Sequence, residues 1–520
     1  MRASYATFIA IGGLIILSLA FHLASPNIPE GDSFYYLRLA SLYRERGIFN
    51  VDLPWIYHSV VRELSSSIWY GFGVFSIPFT FFKNLAAGIK VECITLTALA
   101  LSLYYLVMRR HKVAFSALWP FFLFFAAPNS MFAFLMTRPQ MISLPLSVLL
   151  FSLLVSGAWW SVGLTTLGIA WFHLNFAWIP LIILGSVELP RFIIERRLDF
   201  KKIGAVILGI ALGFLLRPEF INAAKLFYVQ ILELIFEQQG GLPLLFGVEN
   251  LPLGAVILFK NFGVFLIIWI LACAGFLASY RFINKKIGTE LELKTKITIA
   301  GSTLASLIFF ILTMIVARKA YSFWIAFGLI LIALLITRWK EILPSMARFR
   351  NYPIGIAIAA LVFLAPYSSV KTLASLRERA YPPDYMKDAS IYLEKNSAPG
   401  DIVFNAHWAH FSPLFFFNQK NYYSTGLDPI FTYSYDPSLY WKFHYLSTDE
   451  IAEKTCGAPA CTAEMLEDTR DVLVRDFAAR YAVVSKDHNP NFYAFLSSDS
   501  RFALAFEGRD AGVFEIKHER

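Results

Sequence analysis

Long apolar runs are the feature that most constrains how this chain folds. The first extends from about Tyr5 to Ala24. Comparable runs follow at 91–108, 113–134, 141–157, 161–172, 176–188, 203–216, 261–280, 295–317, 321–337 and 351–367. About 20 apolar residues in a helix cross the roughly 30 Å hydrocarbon core of a bilayer. Since only 16% of the residues are charged, we predict an α-helical polytopic membrane protein with about eleven spans.

Two stretches leave the number of spans open. The runs 161–172 and 176–188 lie on either side of His173 and are each short for a span, so one long tilted span over 160–188 is an alternative. The stretch 66–86 is apolar, but two glycines and a proline interrupt it. We interpret it as a re-entrant or interfacial segment rather than a span.

Positive charge is concentrated in short loops beside the apolar runs. These loops are 109–112, 191–202, 281–286 and 338–350. Lysine and arginine in short loops face the cytoplasm. The net charge of +9 therefore indicates anchoring in a plasma or inner membrane, and no nucleic-acid partner. The same rule predicts a cytoplasmic N-terminus, with the first large loop and the tail outside.

The chain changes character after Pro366, where charged residues, Asn and Pro become common. We predict a membrane domain over 1–367, with a first outer loop at 25–90, and a small extracytoplasmic α/β domain over 368–520. Its predicted strands are 401–405, 481–485 and 512–516, and its predicted helices lie near 384–395, 438–446 and 461–479. Cys456 and Cys461 are close enough in sequence to pair in an oxidising compartment, and their pairing is left open.

Three arginines break the positive-inside pattern. Arg138 in MTRPQ, Arg217 in LLRPEF and Arg318 in VARKAY each follow an apolar run at its predicted outer end. Arginine at this depth is costly unless it reaches the headgroups or binds an anion. A guanidinium group binds phosphate oxygens through two parallel hydrogen bonds. As a set, these arginines predict a phosphate site, although snorkelling is the simpler explanation for each one alone.

Two carboxylates follow the first apolar run directly. Glu30 and Asp32 flank a glycine in IPEGDSFYYLRLASLYRERG. A carboxylate at this position is a candidate general base for an acceptor hydroxyl. The alternative is structural, because Asp32 or Ser33 before a helix is also a typical N-cap.

Four histidines are further candidates. His58 and His173 are both predicted near the outer face and are candidates for substrate binding, although a histidine among aromatic residues is usually a packing residue. His407 and His410 have the i, i+3 spacing that suits a metal. No third ligand is evident in the sequence, so we predict no metal site and no cofactor.

The arrangement resembles the GT-C superfamily of membrane glycosyltransferases, which includes protein O-mannosyltransferases, oligosaccharyltransferase catalytic subunits and bacterial lipid-A sugar transferases. The similarity lies in EGDSFYYLRLA, TRPQMIS, WFHLNF, ARKAY and the GLDP segment. It implies an enzyme that transfers sugar from a polyprenyl-phosphate donor to a lipid, glycan or protein acceptor at the outer face of the membrane.

The resemblance also implies roles for individual residues. Asp32 would be the catalytic base, with Glu30 as a second candidate. Arg138 and Arg318 would bind the donor phosphate, with Arg217 less securely placed. Because the loop has no Asp-X-Asp pair, a metal-independent reaction is expected, and a divalent metal is the less favoured possibility. The expected activity is that of a hexosyl or pentosyl transferase of the inverting type. The alternative functions are a lipid or polysaccharide transporter or flippase, and a non-catalytic membrane scaffold.

Overall fold

The computed structural model describes residues 2–242, 244–245, 247–286, 293–342 and 351–517. Within these ranges the chain forms two compact units, each assembled from three separate stretches of sequence. The helical unit comprises Met1–Pro29, Lys90–Leu215 and Val248–Ala380. The mixed unit comprises Glu30–Ile89, Leu216–Gly247 and Tyr381–Arg520. Most of the basic loop predicted at 338–350 lies outside the described residues.

The helical unit consists of apolar helices joined by short breaks. The helices that lie wholly or largely in it are Arg2–Leu23, Leu85–Arg110, Trp119–Phe125, Pro128–Phe134, Gln140–Ser156, Trp159–Phe172, Ile179–Glu195, Phe200–Leu215, Ala255–Lys286, Leu293–Ile315, Tyr321–Thr337, Trp339–Ile342 and Asn351–Glu378. In the described part of the chain, seven helices are long and apolar enough to cross a membrane, or eight if the broken pair within 200–239 is one span. The predicted class, a polytopic helical membrane protein, is confirmed.

The remaining predicted spans are shorter helices. The run 113–134 divides into two seven-residue helices, because Pro128 lacks an amide hydrogen and therefore favours the first position of a new helix. Gln140–Ser156, Trp159–Phe172 and Phe200–Leu215 have 17, 14 and 16 residues. Helices of these lengths fall below the roughly 20 residues of a straight span.

Neither ambiguous stretch forms one continuous helix. Around His173 the chain makes two separate helices, Trp159–Phe172 and Ile179–Glu195, in place of one continuous span over 160–188. The stretch 66–86 contains seven residues of α-helix followed by five residues of 3-10 helix, Ile77–Phe81. A helix of this length is too short to cross a bilayer alone, which agrees with the preferred interpretation.

Two glycines allow close helix packing in the helical unit. Gly209 and Gly213 lie one turn apart on Phe200–Leu215, which packs along Trp159–Phe172. A Cβ on Gly209 would lie 2.7 Å from the carbonyl oxygen of Gly163, and a Cβ on Gly213 would overlap that of Ala170. Helices in membranes approach most closely where small residues recur at this spacing.

The mixed unit contains a five-stranded sheet. Its strands are β1 (Ile402–Asn405), β2 (Tyr422–Tyr423), β5 (Ala479–Val484), β6 (Phe502–Glu507) and β7 (Gly512–Ile516), and β3 (Lys454–Thr455) pairs separately with β4 (Glu467–Asp468). The sheet order is β2-β1-β5-β7-β6, with β1 parallel to β2 and β5, and β7 antiparallel to β5 and β6. The three predicted strands are confirmed, while β2 and β6 were not anticipated.

The mixed unit also contains short helices. They are Asp32–Arg46, Val60–Leu64, Tyr70–Ser76, Phe220–Phe227, Leu234–Gln239, Lys387–Asn396, Phe411–Phe417, Pro429–Tyr433, Pro437–Ser447, Thr469–Arg475 and Pro490–Ser498. Of the predicted helix 461–479, only Thr469–Arg475 is α-helical. Asp468 caps this helix by accepting hydrogen bonds from the amides of Arg470 and Asp471, so the helix begins later than the apolar pattern suggests.

The first loop belongs to the mixed unit. Trp55 and Tyr57 exchange backbone hydrogen bonds of 2.7 Å with Tyr423, which continues the sheet beyond β2. The predicted domain boundary at 367/368 falls inside the helix Asn351–Glu378. The division into a membrane domain and an extracytoplasmic domain stays a prediction.

The pairing of Cys456 and Cys461, which the sequence left open, is present in the structure: the two residues form a disulfide.

The Gly213→Ala substitution should destabilise the helical unit, because the added methyl group meets Ala170 on the neighbouring helix. Overpacking of this kind typically costs about 1–3 kcal/mol. The midpoint of thermal unfolding in detergent measures the effect. Gly204→Ala on the same helix is the control, since a Cβ there meets nothing within 4 Å. Equal midpoints for the two variants would contradict the close packing.

Candidate functional site

A cavity of about 500 Å³ opens in the helical unit. Its walls include places where long helices end or break, among them the 3-10 helices Val248–Asn250 and Arg318–Ala320. Among its described lining residues Glu249 is the one acidic side chain. The basic side chains in the lining are Arg138, Lys260, Arg318, Lys319, Lys371 and Arg379. The cavity is therefore strongly cationic.

Arg138 reaches the cavity from a tight connection. It lies between the helices Pro128–Phe134 and Gln140–Ser156, and Pro139 is the N-cap of the second helix. The Arg138 side chain is 26% exposed, and its Nη1 lies 3.6 Å from Oε1 of Glu249. The prediction that Arg138 contributes to an anion site is consistent with this placement.

Arg318 is held on a rigid connection between two long helices. Its amide donates a 2.8 Å hydrogen bond to the carbonyl of Leu251, and the amide of Leu253 donates a 2.9 Å bond to the carbonyl of Thr313. These bonds fix two irregular segments to each other at the cavity. Among the residues that the structure describes, the buried Nε of Arg318 has no hydrogen-bond partner, so part of the donor capacity of this guanidinium group is available to a ligand.

Polar side chains complete one wall of the cavity. Lys319 Nζ donates a 2.7 Å hydrogen bond to Asn250 Oδ1. Tyr321 donates a 2.8 Å bond to the carbonyl of Asn129, whose Oδ1 accepts a 3.1 Å bond from Asn261. Because these contacts fix the rotamers of their side chains, the wall needs little reorganisation to receive a ligand.

Electrostatics identify the ligand class that this cavity suits. Burial by itself raises the pKa of Glu249, but the positive charges of Arg138, Lys319 and Arg318 hold it below its ordinary value. Glu249 is therefore ionised at neutral pH and balances only part of the basic charge. An anion with several oxygens, such as a phosphate group, can use the remaining guanidinium and ammonium donors.

Four of the basic residues were not predicted from the sequence. Lys371 and Arg379 follow the apolar part of Asn351–Glu378 and, with Ser375, line the cavity at i, i+4 and i+8. This spacing on one helix face is a signal that the sequence already contained. Lys260 and Lys319 carry no comparable signal, since each lies beside an apolar run of the sequence in the way that ordinary flanking lysines do.

The two predicted carboxylates lie in the mixed unit. Gly31 is the N-cap of Asp32–Arg46, so Asp32 occupies the first helical position and neither it nor Ser33 is the N-cap. Asp32 is half-buried and Glu30 is buried. The positive end of the helix dipole favours an ionised Asp32 at this position.

The other predicted binding residues make packing contacts and do not line the cavity. Arg217 is buried and donates hydrogen bonds of 3.3 and 3.2 Å to the carbonyls of Ser67 and Ile68. His58 is buried with Nε2 3.2 Å from the carbonyl of Phe477, and burial lowers its pKa. In the helical unit, Nδ1 of His173 lies 3.1 Å from Oγ of Ser143. Their binding roles stay predictions.

A third histidine joins the pair noted in the sequence. The rings of His407 and His410 lie 5.2 Å apart, and His488 lies 5.6 and 5.2 Å from them. Nδ1 of His407 accepts a hydrogen bond from the amide of Ala409, so this nitrogen is already engaged. Within the described ranges, no group of three His, Cys, Asp or Glu side chains has a geometry that could hold a metal ion.

Comparisons with known proteins identify the fold. The structure is similar to that of ArnT from Cupriavidus metallidurans in the apo state, with a TM-score of 0.50 and 12% identity over 99% of this chain and 98% of that one. It is also similar to the same protein bound to undecaprenyl phosphate, with a TM-score of 0.51 and 13% identity over 96% and 98% of the two chains. This chain has the GT-C fold.

The GT-C resemblance suggested by the first loop and the arginine motifs is thus confirmed for the fold. No family model and no curated protein sequence matches the chain. At 12–13% identity the likeness concerns architecture, so the chemistry of this chain has to be argued from its own residues.

The Glu249→Gln substitution should increase the affinity of the cavity for a phosphate anion, because Glu249 competes with the anion for Arg138. We expect a gain of about twofold to fivefold, the scale of one partly screened ion pair. Binding of pyrophosphate to the purified protein measures it. Glu341→Gln removes a carboxylate that pairs with Arg338 at 2.9 Å outside the cavity lining and is the control. Weaker binding by Glu249→Gln would show instead that Glu249 holds Arg138 in position.

Proposed function

We propose that this protein is a membrane glycosyltransferase that takes a sugar from a polyprenyl-phosphate donor. The observation that carries the proposal is the cavity in the helical unit, with six basic side chains against one acidic side chain among its described residues. The GT-C fold supports the assignment, since one of the similar structures was determined with undecaprenyl phosphate bound. A lipid phosphate matches both the charge of the cavity and its setting among apolar helices.

The charge of the cavity suits the chemistry of the leaving group. When the bond between the anomeric carbon and the phosphate oxygen breaks, negative charge accumulates on the phosphate. Donors that are already oriented stabilise this charge without reorganising at the moment of reaction. Arg138 and Arg318 are suited to this role because a guanidinium group can form two parallel hydrogen bonds with phosphate oxygens.

In the proposed reaction Asp32 accepts the proton of an acceptor hydroxyl. The acceptor oxygen forms a bond to the anomeric carbon, the bond to the phosphate oxygen breaks, and the polyprenyl phosphate leaves with the bonding electrons. Attack from the face opposite the phosphate inverts the anomeric configuration. Glu30 is the second candidate for the base. The acceptor, which could be a lipid, glycan or protein, would approach from the extracytoplasmic side, with the N-terminus in the cytoplasm.

We further propose that no divalent metal is needed. A metal ion at a departing phosphate neutralises charge, and the basic side chains of the cavity supply positive charge in its place. Two of them, Arg318 and Lys319, lie on the same short 3-10 helix, so two positive charges are held close together. This interpretation agrees with the lack of an Asp-X-Asp pair in the first loop.

Replacing Arg138 or Arg318 by Gln should weaken the binding of undecaprenyl phosphate at least tenfold, because each substitution removes a charged hydrogen-bond donor worth about 1.5–3 kcal/mol. The ligand-induced rise in the unfolding temperature, titrated with the lipid, measures the affinity. Arg197→Gln is the matched control, since that arginine is 75% exposed and lies outside the cavity lining. Unchanged affinity in both cavity variants would contradict the assignment of the cavity as the phosphate-binding site.

The Asp32→Asn substitution should abolish transfer by removing the base while leaving donor binding intact. Loss of a general base typically reduces the rate by about 10²–10⁴-fold. Transfer is measured with a radiolabelled polyprenyl-phosphate sugar and membrane extract, and binding by the same lipid titration. Glu30→Asn tests the second candidate in parallel. Full activity in both variants would rule out a carboxylate base at this position.

A further inference from the structure

Tyr381 lies against the glycine that separates the two predicted bases. A Cβ on Gly31 would be 3.7 Å from Cε2 and 3.8 Å from Cζ of the Tyr381 ring. Cζ is the carbon that carries the phenol oxygen. The hydroxyl of Tyr381 therefore projects from a point close to the backbone between Glu30 and Asp32. All four residues belong to the mixed unit.

The charges around Tyr381 agree with this placement. Burial raises the pKa of Tyr381, and the negative charges of Asp32 and Glu30 raise it further. The phenol is therefore protonated at neutral pH and can donate a hydrogen bond. On the helix that carries Asp32, Tyr35 also has a pKa well above its ordinary value, mainly through burial and in smaller part through Asp32. Both phenols are thus neutral near the carboxylates.

A second layer of side chains holds Tyr381 in position. The rings of Tyr381 and Tyr385 lie 5.0 Å apart, and the hydroxyl of Tyr385 is 3.3 Å from Nε2 of His410. His410 is fully buried, and burial together with His407 and His488 holds its pKa well below its ordinary value. A neutral imidazole can accept the Tyr385 hydrogen bond, which a protonated one cannot.

Burial and nearby charges also affect the pKa of Tyr385. Burial raises its pKa, and Tyr381, Asp510 and Asp487 raise it further. Asp510 is itself held in place, because its Oδ2 accepts a 2.9 Å hydrogen bond from the amide of Met386. Tyr385 therefore stays protonated as well, and the chain of contacts from His410 to Tyr381 does not change charge near neutral pH.

We propose that Tyr381 is a positioning residue for the base. Its hydroxyl donates a hydrogen bond to the carboxylate pair Glu30–Asp32, and Tyr385 and His410 fix the direction of its ring. This inference deepens the proposed function and rests on it for its catalytic consequence. A hydrogen bond to the ionised form of a carboxylate lowers its pKa. The same bond restricts the rotamer of the base, which matters because small displacements of reacting groups reduce rates strongly.

The Tyr381→Phe substitution tests this role, because it keeps the ring packed against Gly31 and removes only the hydroxyl. We expect kcat to fall about tenfold with little change in KM. The acid limb of the kcat–pH profile should move upward by about one pH unit, since the carboxylate loses a donor to its charged form. Tyr392→Phe is the control, as the Tyr392 ring stacks on Phe506 at 5.1 Å in the same unit.

A role in packing alone would leave the pH profile where it is. An unshifted acid limb in Tyr381→Phe would therefore overturn the proposal, whatever happens to the rate. Tyr385→Phe provides a second variant if Tyr381→Phe fails to fold. Tyr385→Phe should shift the acid limb less and in the same direction, because it loosens the ring of Tyr381 and leaves the Tyr381 hydroxyl in place. An unshifted acid limb in Tyr385→Phe would also contradict the proposal.

A measurement without turnover separates this proposal from the proposed function. Infrared titration of the Asp32 carboxyl band, taken as the difference from Asp32→Asn, gives the pKa of this group in protein that is not turning over. A higher value in Tyr381→Phe than in the wild-type protein supports the hydrogen bond even if no sugar transfer is detected. An equal value refutes it even if the enzyme is active.

Discussion

The structure depends on the requirement that backbone amides and carbonyls shielded from water find partners inside the protein. Long helices meet this requirement by themselves, whereas a break in a helix has to be covered by other segments. The connections at Arg318–Ala320 and Val248–Asn250 meet it together, since Arg318 bonds to Leu251 and Leu253 bonds to Thr313. Two irregular segments are therefore kept at one place, and the cavity forms where they meet.

The same breaks account for the charge of the cavity. A charged side chain in the middle of an apolar helix would face lipid or a packed core, and both positions are costly. At a break, the chain can turn Arg138, Arg318 and Lys319 toward a shared polar space. Glu249 reduces the mutual repulsion of these groups without cancelling it, so the cavity stays cationic. Asn129 and Asn261 bond to each other in its polar wall, and Asn250 accepts a hydrogen bond from Lys319 behind it.

The mixed unit is held together in a different way, by strand pairing between distant segments. Its residues come from three distant stretches of sequence, and a continuous sheet unites two of them through the hydrogen bonds between Trp55, Tyr57 and Tyr423. The first loop is thus an integral part of a folded unit. As a result, Glu30 and Asp32 lie near Tyr381 in a defined environment, where the protein can control their ionisation and direction.

The sequence by itself determined the membrane class, most of the long helices, three of the five strands of the sheet, and the candidacy of Asp32, Arg138 and Arg318. Hydropathy over about 20 residues and charge beside proline are local properties, and they can be read without knowing what lies nearby in space. Only the tertiary structure decided that Arg138, Arg318 and Glu249 share one cavity, that Arg217 binds backbone carbonyls, that His488 joins His407 and His410, and that Tyr381 lies against Gly31. These are contacts between residues up to several hundred positions apart. They arise from packing and from the pairing of buried polar groups, which no local pattern in the sequence records.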